Sequence, residues 1–385
     1  MEKKIPFWRN DRVRRIGLQG LVILLVAGVL FLLGNNLVSN LQQKGLSFGF
    51  DFLKSTASFD IGDRIIEYSR SDPYIKAVWV GLLNSLRIMS IGIVLATILG
   101  ITVGIGKLSD NWLVRQIATV YVEIIRNTPL LLQLFFWYYT VFLQLPRIDN
   151  PIVILGNIYL SNKGMNIPLP AGTTQTWLSL GFIALSVILA IIIWGRINEA
   201  IERQLPRAKI LQILLVGIAI ANILAVVWGL DWRVPQFLQE ENLIEGGANL
   251  STEYATLLIG LVVYTAAFIA EVVRAGIQSV NIGQREAANA LGLSPSLTMR
   301  LVIFPQALRL MIPPLTSEYL NLAKNSSLAI AIGYYDVYAV SFTISNQTGR
   351  SVEMLLVVMG TYLIISLTIS LIMNSLNQRF KLKER

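Results

Sequence analysis

Long apolar runs leave this chain few ways to fold. Several stretches carry almost no charge over about 20 residues, the length that an α-helix needs to cross a bilayer. The composition agrees, because 54% of the 385 residues are hydrophobic and 14% are charged, against about 25% charged in soluble domains. The sequence therefore predicts an all-α integral membrane protein with about eight transmembrane helices. The predicted spans are 16–33, 75–106, 117–145, 177–194, 210–230, 254–273, 306–340 and 354–372.

Positive charge is distributed unevenly over the segments between these spans. About twenty Lys and Arg residues lie on one set of segments and about eight on the other. Because segments rich in Lys and Arg stay in the cytoplasm, this bias predicts cytoplasmic N- and C-termini. Residues 1–74 then comprise a cytoplasmic segment, a retained first span and a polar extracytoplasmic loop. That loop is either a solvated connector or a docking surface for a soluble binding protein.

The residue types that the sequence lacks exclude several kinds of chemistry. Without Cys or His there are no disulfides, thiolate nucleophiles or usual zinc ligands. The nearest match to a phosphate-binding loop, residues 100–108, misspaces its glycines and places Leu108 where Ser or Thr must contact magnesium. Gly100 and Gly104 are instead expected to pack against another helix. We expect a non-catalytic chain with no cofactor or metal of its own. A net charge of +9 without a basic stripe of interleaved aromatic residues predicts no nucleic-acid partner.

One of the predicted cytoplasmic loops has strong local structure signals. Residues 284–291 are rich in helix formers, and Gly292 readily adopts the left-handed conformation that ends a helix. Ser294 and Pro295 then start a second helix, as N-cap and first helical residue. The predicted result is a rigid bent segment between two spans, which could pass force from a soluble partner into the membrane.

This loop resembles the coupling loop of ABC importer permeases. The pattern is Glu-Ala-Ala, three residues, Gly, nine residues, and then an apolar run that ends in Pro. Here the run is Val-Ile-Phe-Pro at 302–305, where Ile-x-Leu-Pro is more common. The residues that the resemblance assigns to ATPase coupling are Glu286, Ala287, Ala288, Gly292 and Pro305.

Other segments resemble the polar amino-acid uptake family of these permeases, the histidine/glutamate type. They are Arg-Asn-Thr-Pro-Leu-Leu at 126–131 and the stretches 264–278 and 322–328. The additional first span and a two-span hairpin inserted at about 146–253 resemble the longer permeases of its general and acidic amino-acid branch. The resemblance implies a type I ABC importer permease domain over residues 75–385, with the coupling loop at about 275–305.

The resemblance also implies a function and a set of partners. It implies a multi-pass permease subunit of an ATP-driven importer that moves amino acids across the cytoplasmic (inner) membrane into the cell by alternating access. The partners would be an ABC ATPase dimer, a second permease (related or identical), an extracytoplasmic amino-acid-binding protein and membrane lipid. ATP and magnesium would bind to the ATPase. The alternatives are an ion-coupled secondary transporter and a non-transporting membrane scaffold or sensor subunit.

Polar residues inside the predicted spans are candidates for the substrate pathway, because a charge there usually faces a cavity or a partner. All but Gln133 have a structural alternative. Glu271 could line the pathway or pair with Arg274 one helical turn away. Arg126 could attract a substrate carboxylate or anchor the helix at the membrane interface. Residues 325–327 could bind substrate or hydrogen-bond to another helix. The candidate pathway residues are Glu271, Asn325, Ser326, Ser327, Arg126 and Gln133.

Overall fold

The computed structural model describes residues 11–43, 48–202, 207–238 and 243–380. The basic segment 1–10 and the C-terminal residues 381–385, both predicted to be cytoplasmic, lie outside the described residues. The α-helices of the described residues are α1 (Asp11–Gln43), α2 (Tyr74–Gly106), α3 (Trp112–Arg126), α4 (Leu130–Phe135), α5 (Thr174–Glu202), α6 (Arg207–Leu224), α7 (Thr252–Gln278), α8 (Ile282–Ala290), α9 (Pro295–Thr298), α10 (Phe304–Asn325), α11 (Val337–Thr348) and α12 (Ser351–Phe380).

The prediction of a helical protein with about eight spans is confirmed in outline. Among the described residues, six helices are long and apolar enough to cross a membrane: α1, α2, α5, α6, α7 and α12. A seventh candidate is the pair formed by 295–332 and α11, bent by 50°. The bend follows from two local features. Gly333 adopts φ +82°, and the Asp336 side chain accepts a hydrogen bond from the Ala339 amide at 2.8 Å, which starts α11 anew.

The third predicted span, 117–145, is interrupted. Pro129 lacks an amide proton and disfavours a helical residue before it, so α3 ends at Arg126 and α4 begins at Leu130. Gln133 fills the break, because its side-chain amide donates to the carbonyl oxygens of Ile125 at 2.9 Å and Thr128 at 3.0 Å. A π-helix, Phe136–Phe142, continues α4. This span is thus made of three short pieces.

The core lies where α7 packs along α2. Gly100 and Gly104, four residues apart on one face of α2, allow this close approach. A Cβ atom at Gly100 would lie 2.5 Å from Cγ2 of Ile269, and one at Gly104 would lie 2.8 Å from the carbonyl oxygen of Ala270. The predicted helix-packing role of this pair is confirmed.

We expect Gly104→Leu to lower the melting temperature of the detergent-solubilised protein. The added side chain would push against the α7 backbone, and overpacking of this kind costs about 1–3 kcal/mol. Gly360→Leu on α12 is the matched control, because its Cβ would meet no atom within 4 Å. Equal melting temperatures for the two variants would contradict the packing role.

Short strands, which the sequence analysis did not predict, occupy the segments on either side of α5 and α6. β1 (Ile152–Ile154), β2 (Ile158–Ser161), β3 (Gly164–Ile167) and β8 (Ala248–Leu250) form one antiparallel sheet in that order. β4 (Leu169–Pro170) pairs with β5 (Trp232–Arg233), and β6 (Gln236–Leu238) pairs with β7 (Leu243–Glu245). We call the end of the molecule that carries these strands the strand end. The α8 and α9 helices lie at the opposite end of α7.

The segment that precedes α2 is also packed at the strand end. Asn84 donates to the carbonyl oxygens of Asp63 at 2.8 Å and Tyr335 at 2.9 Å, and Ser251 donates to the Asp63 carboxylate. Arg87 lies 4.1 Å from the ring centre of Tyr254. Burial raises the pKa of Asp63 in spite of these contacts. The segment therefore joins the strand ends of α2, α7 and α11, and is more than a solvated connector.

Candidate functional site

The α8 helix lies on the surface of the protein. Each of its nine residues is exposed except Ala288. The Asn281 side chain caps its first turn by accepting from the Gly283 amide at 2.8 Å. Its end is closed by Gly292, at φ +74°, and by a hydrogen bond from the Leu293 amide to the Ala288 carbonyl at 3.1 Å. The predicted helix and glycine turn are confirmed.

The chain then runs from α9 into α10 without a loop. Ser294 is the N-cap of α9, with its hydroxyl 3.4 Å from the Leu297 amide, and Pro295 is the first helical residue, as predicted. A π-helix, Met299–Ile303, leads directly into α10. Pro305 lies in the first turn of α10 and is exposed. We call residues 279–303 the bent segment. It connects α7 to α10 through α8, the turn at Gly292, α9 and the π-helix.

A cavity of about 390 Å³ lies between α3, α7 and α10. Three of its lining residues are ionisable: Arg126 from α3, Glu271 from α7 and Glu318 from α10. The Arg126 guanidinium lies 5.1 Å from the ring centre of Phe268, another lining residue, in cation–π contact. Three different helices thus bring two carboxylates and one guanidinium to a single cavity.

Glu271 is already paired within this arrangement. Its carboxylate accepts from Lys107 Nζ at 2.8 Å and from Arg274 Nε at 2.9 Å. The predicted pairing with Arg274 is confirmed, and Lys107 is an additional partner from the end of α2. The Lys107 side chain is only 10% exposed, so this ion network ties α2 to α7 in a partly buried setting.

The other predicted pathway residues do not line this cavity. Gln133 is buried and bridges the break between α3 and α4. The Ser326 and Ser327 hydroxyls donate to the carbonyl oxygens three residues before them, both at 2.8 Å. Asn325 is the last residue of α10 and is half-buried. The structure therefore brings together Arg126 and Glu271, and places the remaining four elsewhere.

Glu318 is the cavity residue that the sequence analysis missed. It is half-buried on α10, in a part of the chain predicted to span the membrane. A carboxylate inside a membrane span is energetically costly and usually faces a cavity or a partner. The position of Glu318 within a predicted span could therefore have identified it from the sequence. Among the described residues, no group of three or more acidic side chains is placed to hold a metal ion.

Comparison with known proteins identifies the family. The family model for the binding-protein-dependent transport system inner membrane component matches residues 209–383. The chain is 44% identical to the putative amino-acid ABC transporter permease YhdX of Escherichia coli, over 98% of this chain and 96% of the relative. This chain belongs to the amino-acid ABC transporter permeases.

Two further matches come from this family of permeases and from a solved transporter. The general L-amino acid transport system permease AapQ of Rhizobium johnstonii is 41% identical, over 98% of this chain and 94% of the relative. A solved amino acid ABC transporter with histidines matches with a TM-score of 0.47 and 20% identity, over 80% of this chain and 95% of that chain.

Family membership decides between the classes considered from the sequence. The chain is a multi-pass membrane permease, a transport subunit of an ABC transporter complex with no catalytic role of its own. The secondary-transporter and scaffold alternatives are therefore set aside.

Proposed function

We propose that this permease moves amino acids into the cell through the cavity between α3, α7 and α10, and that a separate ATPase drives it through the bent segment. One observation carries this proposal. The helices α7 and α10 form two walls of the cavity, and the bent segment joins them directly. Any displacement of the bent segment must therefore be passed to both walls.

The surface of the bent segment supports docking to an ABC ATPase dimer. Glu286 and Ala287 are exposed on α8, next to Ala288, which is buried against the permease itself. Two apolar side chains of the same segment are also uncovered: Ile282 is 71% exposed and Leu291 is 81% exposed. A partner that covers them would gain apolar burial. ATP and magnesium would bind to that partner, since this sequence has no phosphate-binding loop.

The distribution of charge supports an orientation. Arg285 and Arg300 lie on the bent segment, and positively charged segments remain in the cytoplasm. We place the bent segment and both chain termini there, in the inner membrane, and the strand end outside the cell. The strand end would then meet the amino-acid-binding protein, and a second permease, related or identical, would complete the complex within the lipid bilayer.

In the transport cycle, closure of the ATPase dimer would carry α8 with it. The turn at Gly292 is fixed by its left-handed conformation, so α8 and α9 would move as one body and pull on α7 and α10. The cavity would then change from inward-open to outward-open, and hydrolysis would reset it. Substrate needs only weak binding in the cavity, because ATP supplies the energy.

The test is reconstitution of the complete complex in liposomes. The permease is combined with its second permease, the ATPase and the binding protein, and uptake of radiolabelled amino acids is measured. We expect uptake with ATP and none when the ATPase carries a hydrolysis-deficient substitution. Uptake that persists without hydrolysis would contradict the coupling, and a fully assembled complex that moves no amino acid would contradict the transport role.

A further inference from the structure

We propose that Arg126 and Glu318 hold the two charged ends of the transported amino acid. Arg126 would bind the α-carboxylate and Glu318 the α-ammonium group. This inference rests on the proposed transport function and adds to it the residues that recognise the part common to all amino acids. We call the two residues the zwitterion clamp.

Arg126 is placed to act as the anion-binding half. It ends α3 just before the break at Pro129, and it lines the cavity with its guanidinium held over Phe268. Arg126 forms no salt bridge with any described residue. A guanidinium offers five donors in a planar fork that matches a carboxylate. These donors are available for an anion that enters the cavity.

Glu318 is placed to act as the cation-binding half. It lines the same cavity from α10, four residues beyond Pro314, and is half-buried. It forms no salt bridge among the described residues; Asn321 gives it a side-chain hydrogen bond, and Arg126 is the opposite charge that acts on it. An intramembrane carboxylate is costly and usually faces a cavity or a partner. An ammonium group in this cavity would give it a direct ion pair.

Glu271 is the competing carboxylate, and its existing contacts argue against it. Lys107 and Arg274 both donate to it, so two cations already neutralise one carboxylate. A substrate ammonium would have to displace one of them or join a group that is already net positive. No cation of the described residues forms a salt bridge with Glu318, whereas two do so with Glu271, which is why Glu318 is assigned to the ammonium group.

The size and composition of the cavity suit a small zwitterion. Its volume of about 390 Å³ is near the lower end of ligand pockets, which run from about 300 to 1,000 Å³. The two halves of the clamp lie on different helices, and α10 is the one joined to the bent segment. Movement of α10 relative to α3 would separate the two contacts. The clamp would thus hold an amino acid in one state of the cycle and release it in another.

The test measures equilibrium binding to the purified permease–ATPase complex without the binding protein, which would otherwise supply its own site. Three probes are used: L-glutamine, glutaramate (which lacks the ammonium group) and 4-aminobutyramide (which lacks the carboxylate). The variants are Glu318→Gln and Arg126→Gln. Glu123→Gln is the matched control, because this exposed carboxylate lies one turn before Arg126 and does not line the cavity.

We expect each variant to lose affinity only for probes that carry its partner group. Glu318→Gln should lower the affinity for L-glutamine and 4-aminobutyramide by about 10-fold and leave the affinity for glutaramate unchanged. A loss of this size is expected when a hydrogen bond to a charged group is removed. Arg126→Gln should lower the affinity for L-glutamine and glutaramate to a similar degree and leave the affinity for 4-aminobutyramide unchanged. Glu123→Gln should change none of them.

Two outcomes would overturn the clamp. One is an equal loss of affinity for all three probes in either variant, which would show that the substitution disturbs the structure of the cavity. The other is wild-type binding in which L-glutamine is no tighter than the two analogues. ATP-driven uptake in liposomes separates this proposal from the proposed function. Uptake that survives unchanged in both variants overturns the clamp alone, whereas no uptake by the wild-type complex overturns the function.

Discussion

Gly292→Val is expected to uncouple ATP hydrolysis from amino-acid uptake. Gly292 adopts φ +74°, and nothing lies within 4 Å of the position that a Cβ atom would take. Valine would therefore meet no steric clash with neighbouring atoms. Its cost is the backbone strain of holding a β-branched residue in the left-handed region, about 1–3 kcal/mol. The chain avoids this cost by changing the turn, which changes the angle between α8 and α9.

The measurement is the amount of amino acid taken up per ATP hydrolysed in liposomes. We expect this ratio to fall by about 10-fold or more in the valine variant, because about 1.4 kcal/mol against the native turn already lowers the equilibrium constant for that turn about tenfold. Gly292→Asn is the control, since asparagine tolerates the left-handed conformation and should keep most of the coupling. A valine variant with a normal ratio would show that the turn does not transmit force.

Glu271→Gln is expected to destabilise the permease strongly. The substitution keeps the shape of the side chain and removes its charge, which leaves Lys107 largely buried and without its counter-ion. Removing one partner of a fully buried ion pair costs about 3–5 kcal/mol, and the cost for this partly buried pair should lie toward or below the lower end. The melting temperature of the detergent-solubilised complex should fall clearly. Arg274→Gln should have a smaller effect, because Arg274 is 32% exposed and Glu271 keeps its bond to Lys107.

The double variant Glu271→Gln/Lys107→Met is the decisive control for this prediction. It removes both buried charges, so most of the lost stability should return. If Glu271→Gln were instead fully stable but unable to bind L-glutamine, Glu271 and not Glu318 would be the ammonium site. Stability and binding together thus distinguish a structural ion network from a substrate site.

The parts of this protein that were predictable from sequence depend on short-range chemistry. Gly292, Ser294 and Pro295 each determine the backbone within a few residues, so the two helices of the bent segment and the turn between them could be foreseen. Pro129 likewise indicated a break, although not that Gln133 would fill it. Gly100 and Gly104 indicated a packing face, but not that α7 would be its partner.

The parts that could not be predicted depend on residues far apart in the chain. Lys107 and Glu271 are separated by 164 residues, and nothing local in either segment reveals their contact. The same holds for β3 and β8, which are three or four residues long and belong to different loops. Such short strands have no periodicity of their own and exist only because the fold brings their partners beside them.

The two ends of the inserted hairpin are held together by hydrogen bonds to one residue, Asn162. The Asn162 amide donates to the Pro146 carbonyl at 2.9 Å, and the Asn162 carbonyl accepts from the Thr252 hydroxyl at the same distance. The point where the insert begins and the point where α7 starts are therefore bridged by one backbone unit. A segment whose ends meet in this way can grow, shrink or disappear during evolution without altering the gap that the remaining chain must close. The residues that line the cavity all lie outside the insert, so the surface at the strand end can change while the cavity lining stays the same.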